Sequence, residues 1–135
     1  MADPLSIATA CVAAVETIAS VVITIRGFLD ECRAAKSDLR GIQDTLAKLE
    51  TLFDGIKVEV SGPNSHFIDP TMRSGILGGI HDCTRVMVRI GEVVAEHRGH
   101  ASKWVRNGKG QVGKLQSSLE TYQAVLRLAV SGAKL

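Results

Sequence analysis

The most apolar part of the chain runs from Leu5 to Ile25, where 15 of 21 residues are apolar and Glu16 is the only charge. Spacings of three and four residues place these side chains on two adjacent stripes of a helix, which we call the first and second seams. The first seam consists of Ile7, Cys11, Ala14, Ile18, Val21, Ile25 and Phe28. The second consists of Leu5, Ala8, Val12, Val15, Ala19 and Val22. The pattern therefore predicts a first helix that is apolar over about two thirds of its circumference.

The remaining side of this helix is a polar stripe of small or polar residues. It consists of Ser6, Thr9, Ala13, Glu16, Ser20 and Thr24. A helix of 21 residues is about 30 Å long, which suits both a bundle core and a bilayer. It differs from an ordinary membrane anchor, because a central carboxylate costs about 2.5 to 3.5 kcal/mol on insertion. It also differs from a signal peptide, because no basic residue precedes Arg26.

Three further helices follow from the same kind of spacing. We predict a second helix ending near Lys57, a loop over residues 58–69, a third helix from Pro70 to about Glu96 and a fourth beginning near Gly110. Asp69 before Pro70 is a strong helix start. The predicted buried positions of the second helix are Ala35, Leu39, Ile42, Leu46, Leu49, Phe53 and Ile56. Those of the third helix are Ile76, Ile80, Cys83, Met87, Ile90 and Val94, and those of the fourth are Val112, Leu115, Leu119, Tyr122, Leu126 and Ala129. Residues 1–135 are thus expected to form one all-α domain, an up-and-down four-helix bundle.

Composition agrees with helices, because 45 % of the residues are apolar but only 4 % are aromatic. A core built from Leu, Ile, Val and Ala favours helix over sheet. The net charge of +2 gives little support to nucleic-acid binding, so we expect no nucleic-acid partner. The cysteines Cys11, Cys32 and Cys83 lie on apolar helical positions, which is typical of thiols in a reducing, intracellular protein.

No motif indicates catalysis. Gly108 to Leu115 nearly matches a phosphate-binding loop, but Leu115 replaces the magnesium-binding hydroxyl and no strand precedes the glycines. A possible group of metal ligands is Glu92, Glu96, His97 and His100, but no second cluster completes a four-ligand site. We therefore interpret these residues as solvated polar side chains. We therefore expect no enzyme activity, no catalytic residues, no metal and no cofactor.

Between His97 and Lys114 the chain is basic and has no acidic residue. Cations around an indole could contact the headgroups of an anionic membrane surface. The candidate headgroup contacts are Arg98, Lys103, Trp104, Arg106 and Lys109. Alternatively Trp104 packs on the end of the bundle while the cations stay solvated, and we favour this reading because single aromatic residues usually anchor cores.

Several of these features together resemble the HeLo-like N-terminal domain of fungal STAND proteins, which are NOD-like receptors. The resemblance covers essentially the whole chain and is most specific in the first eight residues. Its other elements are the apolar first helix, the heptad helix and the single tryptophan before the last helix. The residues that carry it are Met1 to Ala8, Leu39, Leu46, Leu49, Leu52 and Trp104.

The resemblance implies a four-helix bundle that executes regulated cell death. It implies a cytoplasmic domain, followed in the same chain by receptor domains, that oligomerises on triggering and is recruited to the plasma membrane. Its first helix would then insert into anionic lipid. We expect lipid contact from Leu5, Ile7, Val12, Val15, Ile18, Val22 and Ile25, and a pore lining of Ser6, Thr9, Glu16, Ser20 and Thr24. The alternative is a soluble helical module that recruits or oligomerises signalling proteins without membrane activity.

Overall fold

The computed structural model describes residues 4–62 and 69–133, and these residues are almost entirely helical, with no strand among them. Helix α1 spans Pro4–Glu31, α2 spans Lys36–Ser61 and α3 spans Pro70–Glu96. After one short helical turn, α4 (Ala101–Lys103), and a π-helical stretch (Trp104–Gly108), helix α5 spans Lys109–Ala133. The prediction of an all-α bundle is confirmed.

The predicted buried positions form the core. Every residue of the first seam of α1 is buried, as are all the predicted core positions of α2 and α3. In α5 the residues Val112, Leu119 and Leu126 are buried, whereas Leu115, Tyr122 and Ala129 are half-buried against the core. The core therefore follows the spacing of the apolar residues, because each helix turns one apolar side inward.

One helix boundary differs from the prediction. Helix α2 continues to Ser61, four residues beyond Lys57, because Val60 still reaches the core at 3 % exposure. Residues 63–68 of the predicted loop lie outside the described residues. The start of α3 is confirmed, because the Asp69 Oδ1 atom accepts a hydrogen bond of 2.7 Å from the Thr71 backbone N–H.

The basic stretch after α3 is more ordered than its glycines suggest. Gly99 adopts a left-handed conformation with φ of 78° and turns the chain. Helical structure then resumes at Ala101. The π-helical stretch gives this segment wider turns, which bring Trp104 into the core.

Helix α1 lies between α2 and α3, with which it makes the most extensive contacts, while α5 packs on α3 and less closely on α2. Only Cys32 and a 3-10 turn (Arg33–Ala35) connect α1 to α2. Leu5 borders Leu77 near the start of α3, and Glu31 reaches Arg98 just beyond its end, so α1 and α3 run side by side in the same direction.

Candidate functional site

The two seams of α1 have different environments. The first seam faces α2 and α3 and is buried, but the second seam is only partly covered. Ala8, Val15 and Val22 are half-buried, whereas Leu5, Val12 and Ala19 are exposed. Of the residues proposed to contact lipid, Ile7, Ile18 and Ile25 are therefore in the core of the described fold. The other helices leave the outer half of the second seam uncovered, because α1 contacts only two neighbours extensively.

These exposed residues form a continuous surface that we call the outer face of α1. It consists of Leu5, Val12, Glu16, Ala19 and Ile23. Leu5 is 76 % exposed and Ile23 is 69 % exposed, which is unusual for side chains of this size on one helix face. Ile23 belongs to neither predicted seam, although its spacing from Leu5, Val12 and Ala19 places it on this face.

The predicted polar stripe follows the boundary between α1 and α3. Ser6 and Thr9 line a shallow cavity with Leu77 and His81, and Ser20 and Thr24 line another with Glu92. The Thr24 hydroxyl donates a hydrogen bond of 3.0 Å to the Ser20 carbonyl, four residues earlier. Thr17, beside the stripe, does the same to the Ala13 carbonyl at 2.9 Å. These hydroxyls are satisfied within the helix, which lowers the cost of moving them out of water.

Glu16 is exposed at the border between the outer face and the polar stripe. Among the described residues it has no hydrogen bond or ion pair. It is also the only charge between Pro4 and Ile25. The resting fold therefore leaves a single unpaired carboxylate among exposed apolar side chains.

Trp104 lies in the core and not on the surface, where a contact with lipid headgroups would require it. It is 1 % exposed, and its indole N–H donates a hydrogen bond of 3.1 Å to the Asp38 Oδ2 atom. Its ring centroid lies 4.9 Å from that of Phe28 and 5.8 Å from that of His97. In this fold Trp104 cannot reach lipid headgroups, because it links α1, α2 and the end of α3. The alternative in which Trp104 packs on the bundle end agrees with this position.

His97 and Gly108 complete this Trp104 cluster. His97 is 2 % exposed, and its Nδ1 atom donates to the Val93 carbonyl at 2.8 Å. The interpretation of His97 as a solvated residue is therefore wrong. A Cβ atom added at Gly108 would lie 2.4 Å from the Trp104 Cε3 atom and 2.9 Å from the His97 Cδ2 atom. Only glycine lets the π-helical stretch approach these rings so closely.

The Trp104 cluster also brings two basic segments to the same end of the bundle. Residues 26–40 and 98–109 contain eight basic and three acidic residues. Glu31 pairs with Arg98 at 3.1 Å, and Asp38 accepts the bond from Trp104, so two of the three acids are engaged. We call the resulting surface the basic end. Its cations are Arg26, Arg33, Lys36, Arg40, Arg98, Lys103, Arg106 and Lys109, all exposed.

Only half of the basic end was expected from the sequence. Arg98, Lys103, Arg106 and Lys109 come from the basic segment after α3, but the other four cations come from residues 26–40, around the connection between α1 and α2. Arg26, Arg33 and Lys36 line a shared cavity with Asp30 there. The sequence alone does not reveal this proximity, since 66 residues separate Asp38 from Trp104.

The other candidate chemistry does not assemble into a site. Glu92 and Glu96 both lie near the Arg89 guanidinium, at 3.6 and 3.3 Å. Gly110 and Gly113 of the loop-like motif lie inside α5. No cluster of three or more His, Cys, Asp or Glu side chains suited to a metal occurs within residues 4–62 and 69–133.

Among the helices of the described residues, α1 alone is long and apolar enough to cross a membrane. Of its 18 most apolar consecutive residues, 33 % are buried. Comparisons of the chain with family models, curated proteins and solved structures found no match.

Proposed function

We propose that this domain is a membrane-acting effector that oligomerises and inserts α1 into the plasma membrane. The observation that carries the proposal is that α1 has the length and composition of a membrane span while only 33 % of its most apolar segment is buried. A core helix of a soluble bundle passes the same test of composition but is mostly buried. The exposed outer face of α1 thus gives lipid an apolar surface before any rearrangement.

Insertion of α1 would require its inner side to leave the bundle. Four large side chains would lose their core contacts, namely Ile7, Ile18, Val21 and Ile25. At about 1.5 to 3 kcal/mol for each, detachment costs roughly 10 kcal/mol, so lipid burial and contacts between copies must offset that amount. The carboxyl end of α1 is held by Phe28 in the Trp104 cluster. In this mechanism the amino-terminal part of α1 leaves first and the Trp104 cluster keeps its other end attached.

Glu16 favours insertion as an oligomer over insertion of a single copy. A carboxylate facing lipid is costly, but several copies can turn their polar stripes toward a shared water-filled lumen. The hydroxyls of Thr17 and Thr24 already bond within the helix, and Glu16 is the only charged group of the polar stripe, so it has the greatest need of water. Glu16 would line the lumen, with Ile18, Val22 and Ile25 on the opposite side of the helix toward lipid.

The basic end supplies electrostatic attraction to an anionic membrane. Each cation near such a surface contributes about 1 kcal/mol, and the attraction falls off within a Debye length. The resemblance to HeLo-like domains supports the same function in a fungal NOD-like receptor that triggers regulated cell death. In that arrangement the domain is an up-and-down bundle, cytoplasmic at rest, and precedes receptor domains in the same chain.

Leakage of a dye from vesicles of phosphatidylserine and phosphatidylcholine tests this function. We expect Glu16→Ala to reduce leakage by about tenfold or more, because the lumen loses its only carboxylate. We expect deletion of residues 1–20 to abolish leakage. Glu50→Ala is the matched control, because Glu50 is an exposed glutamate that lies outside both α1 and the basic end. If both α1 variants release dye as fast as the wild type, the mechanism is wrong.

Release of α1 also has a chemical readout at Cys83, which is 0 % exposed in the core. Burial, with a smaller effect of the Asp82 carboxylate, raises the pKa of the Cys83 thiol to about 12, so it stays protonated and unreactive near pH 8. Departure of α1 uncovers one side of α3 and lowers this pKa toward its ordinary value. Alkylation of Cys83, followed by mass spectrometry, should therefore accelerate when vesicles are added.

The second candidate function is a soluble module that binds other proteins through its surface. An apolar groove between α2 and α5 favours this function, because those helices pack less closely than the other neighbouring pairs. Hydrogen exchange with and without anionic vesicles separates the two functions. Only membrane insertion changes the protection of residues 5–25, so unchanged protection on vesicles that bind the protein supports the soluble module.

A further inference from the structure

The groove between α2 and α5 separates the two neighbouring helices of the bundle that contact each other least extensively. Its floor is formed by Leu52, Gly55 and Ile56 of α2 and by Val130 of α5. No atom lies within 4 Å of a Cβ atom built on Gly55, so the floor is open to an incoming side chain. The groove encloses about 380 Å³, which is enough for several aliphatic side chains.

The rim of this groove is positively charged. Lys48 and Arg127 line it, and its lining contains no acidic residue. Neither cation has a hydrogen bond or ion pair within the described part of the chain. An apolar floor below two unpaired cations fits an apolar helix that carries one carboxylate.

The outer face of α1 has this composition. Leu5, Val12 and Ile23 supply exposed apolar side chains, and Glu16 supplies one unpaired carboxylate among them. The two surfaces are on different sides of the molecule, because α1 packs on α2 and α3 whereas the groove opens between α2 and α5. One copy therefore cannot fill its own groove, but it can fill the groove of another copy.

We propose that the outer face of α1 docks into the α2–α5 groove of a second copy of this chain, with Glu16 between Lys48 and Arg127 of that copy. The contact joins two different surfaces, so each copy keeps one free face and one free groove. Repetition of such a contact produces a ring if the rotation closes and a filament if it does not. This inference rests on the oligomerisation step of the proposed function and names the surfaces that carry it.

Charge reversal tests the docking without removing any apolar side chain. We expect Lys48→Glu with Arg127→Glu to weaken self-association by about tenfold or more, because two glutamates then face Glu16. Glu16→Lys alone should weaken it similarly, and the triple variant should recover it. Sedimentation velocity in buffer without lipid measures each equilibrium.

Mixing the two defective proteins identifies the geometry of the contact. Each chain of Glu16→Lys keeps a native groove, and each chain of Lys48→Glu with Arg127→Glu keeps a native outer face. A head-to-tail contact predicts that the mixture assembles beyond a dimer, since every mixed contact joins opposite charges. Persistence of two separate weakly associating species in the mixture would overturn the proposal.

The controls separate this inference from the membrane proposal. Arg85→Glu with Lys114→Glu is a matched reversal of two exposed cations outside both the groove and the basic end and should leave self-association unchanged. All substituted residues are exposed, and thermal unfolding should confirm that each variant is folded. Wild-type protein that stays monomeric at all concentrations, or reversals that leave association unchanged, would refute the docking. Leakage by the same wild-type protein would still support membrane insertion through other contacts.

Discussion

The Trp104 cluster and the outer face of α1 show opposite uses of apolar side chains. At the Trp104 cluster, one indole fills the space between three segments and has its polar atom satisfied. On the outer face of α1, side chains as large as Leu5 and Ile23 face solvent and cover nothing. Both regions include α1, which is fixed at its carboxyl end and uncovered along its outer side.

This difference indicates how stability and function are divided along the molecule. Packing around Trp104 contributes to the free energy of folding and fixes the connection between the helices. The outer face of α1 contributes little to folding, so its apolar character has another cause, which we propose is contact with lipid and with a second copy. Substitutions in the two regions should therefore separate stability from association.

The largest effect should come from Trp104→Ala. Removal of a buried indole costs about 3 to 5 kcal/mol and leaves Asp38 without its donor. We expect the Tm to fall by more than about 10 °C, as measured by circular dichroism. Val105→Ala, at a neighbouring position that is 59 % exposed, should change the Tm little. Similar Tm values for both variants would show that the Trp104 cluster contributes no more to stability than an exposed side chain does.

A pair of substitutions within α1 tests its inner and outer sides. Ile18→Ala should lower the free energy of unfolding by about 2 to 5 kcal/mol, because Ile18 is 2 % exposed. Leu5→Ala should change it by less than about 0.5 kcal/mol and instead weaken binding to vesicles. Urea unfolding and vesicle co-sedimentation measure the two effects. Equal losses of stability would show that the outer face also packs.

Two glycines near the start of α5 should respond to alanine with opposite signs. Gly108→Ala should lower the free energy of unfolding by about 1 to 3 kcal/mol, because the added Cβ overlaps the Trp104 ring. Gly110→Ala should raise it by up to about 1 kcal/mol, because alanine favours helix and no atom lies within 4 Å of the added Cβ. Urea unfolding of both variants checks the signs. A stabilising Gly108→Ala would show that the cluster tolerates rearrangement.

The smallest effect should come from single cations of the basic end. Arg106→Gln or Arg33→Gln should each weaken binding to phosphatidylserine vesicles by about 1 kcal/mol and leave the Tm unchanged. Binding of the wild type should also weaken as salt is raised. Arg85→Gln is the control, because Arg85 pairs with Asp82 away from the basic end. If Arg85→Gln weakens vesicle binding equally, the attraction depends on the net charge of the protein and not on the basic end.

Part of the fold follows from the spacing of apolar residues. The inward positions of α1, α2 and α3 and the start of α3 at Asp69 were predictable, because helix periodicity and capping are local properties of the sequence. The end of α2 was placed too early, because the contact of Val60 with the core is a tertiary one. The burial of His97 depended on Trp104 and Gly108, which approach it only in the folded bundle.

The sequence by itself determined that α1 is a long helix in which Glu16 is the only charge between Pro4 and Ile25, since composition and period are local. Only the tertiary structure decided which side of that helix is covered, because α1 contacts two helices extensively and leaves its outer face exposed. The tertiary structure also places the cations of residues 26–40 near those of residues 98–109, because the buried Trp104 indole donates a hydrogen bond to Asp38, 66 residues earlier in the chain. The distribution of exposed apolar and basic surface, on which the proposed functions depend, is therefore a property of the packing.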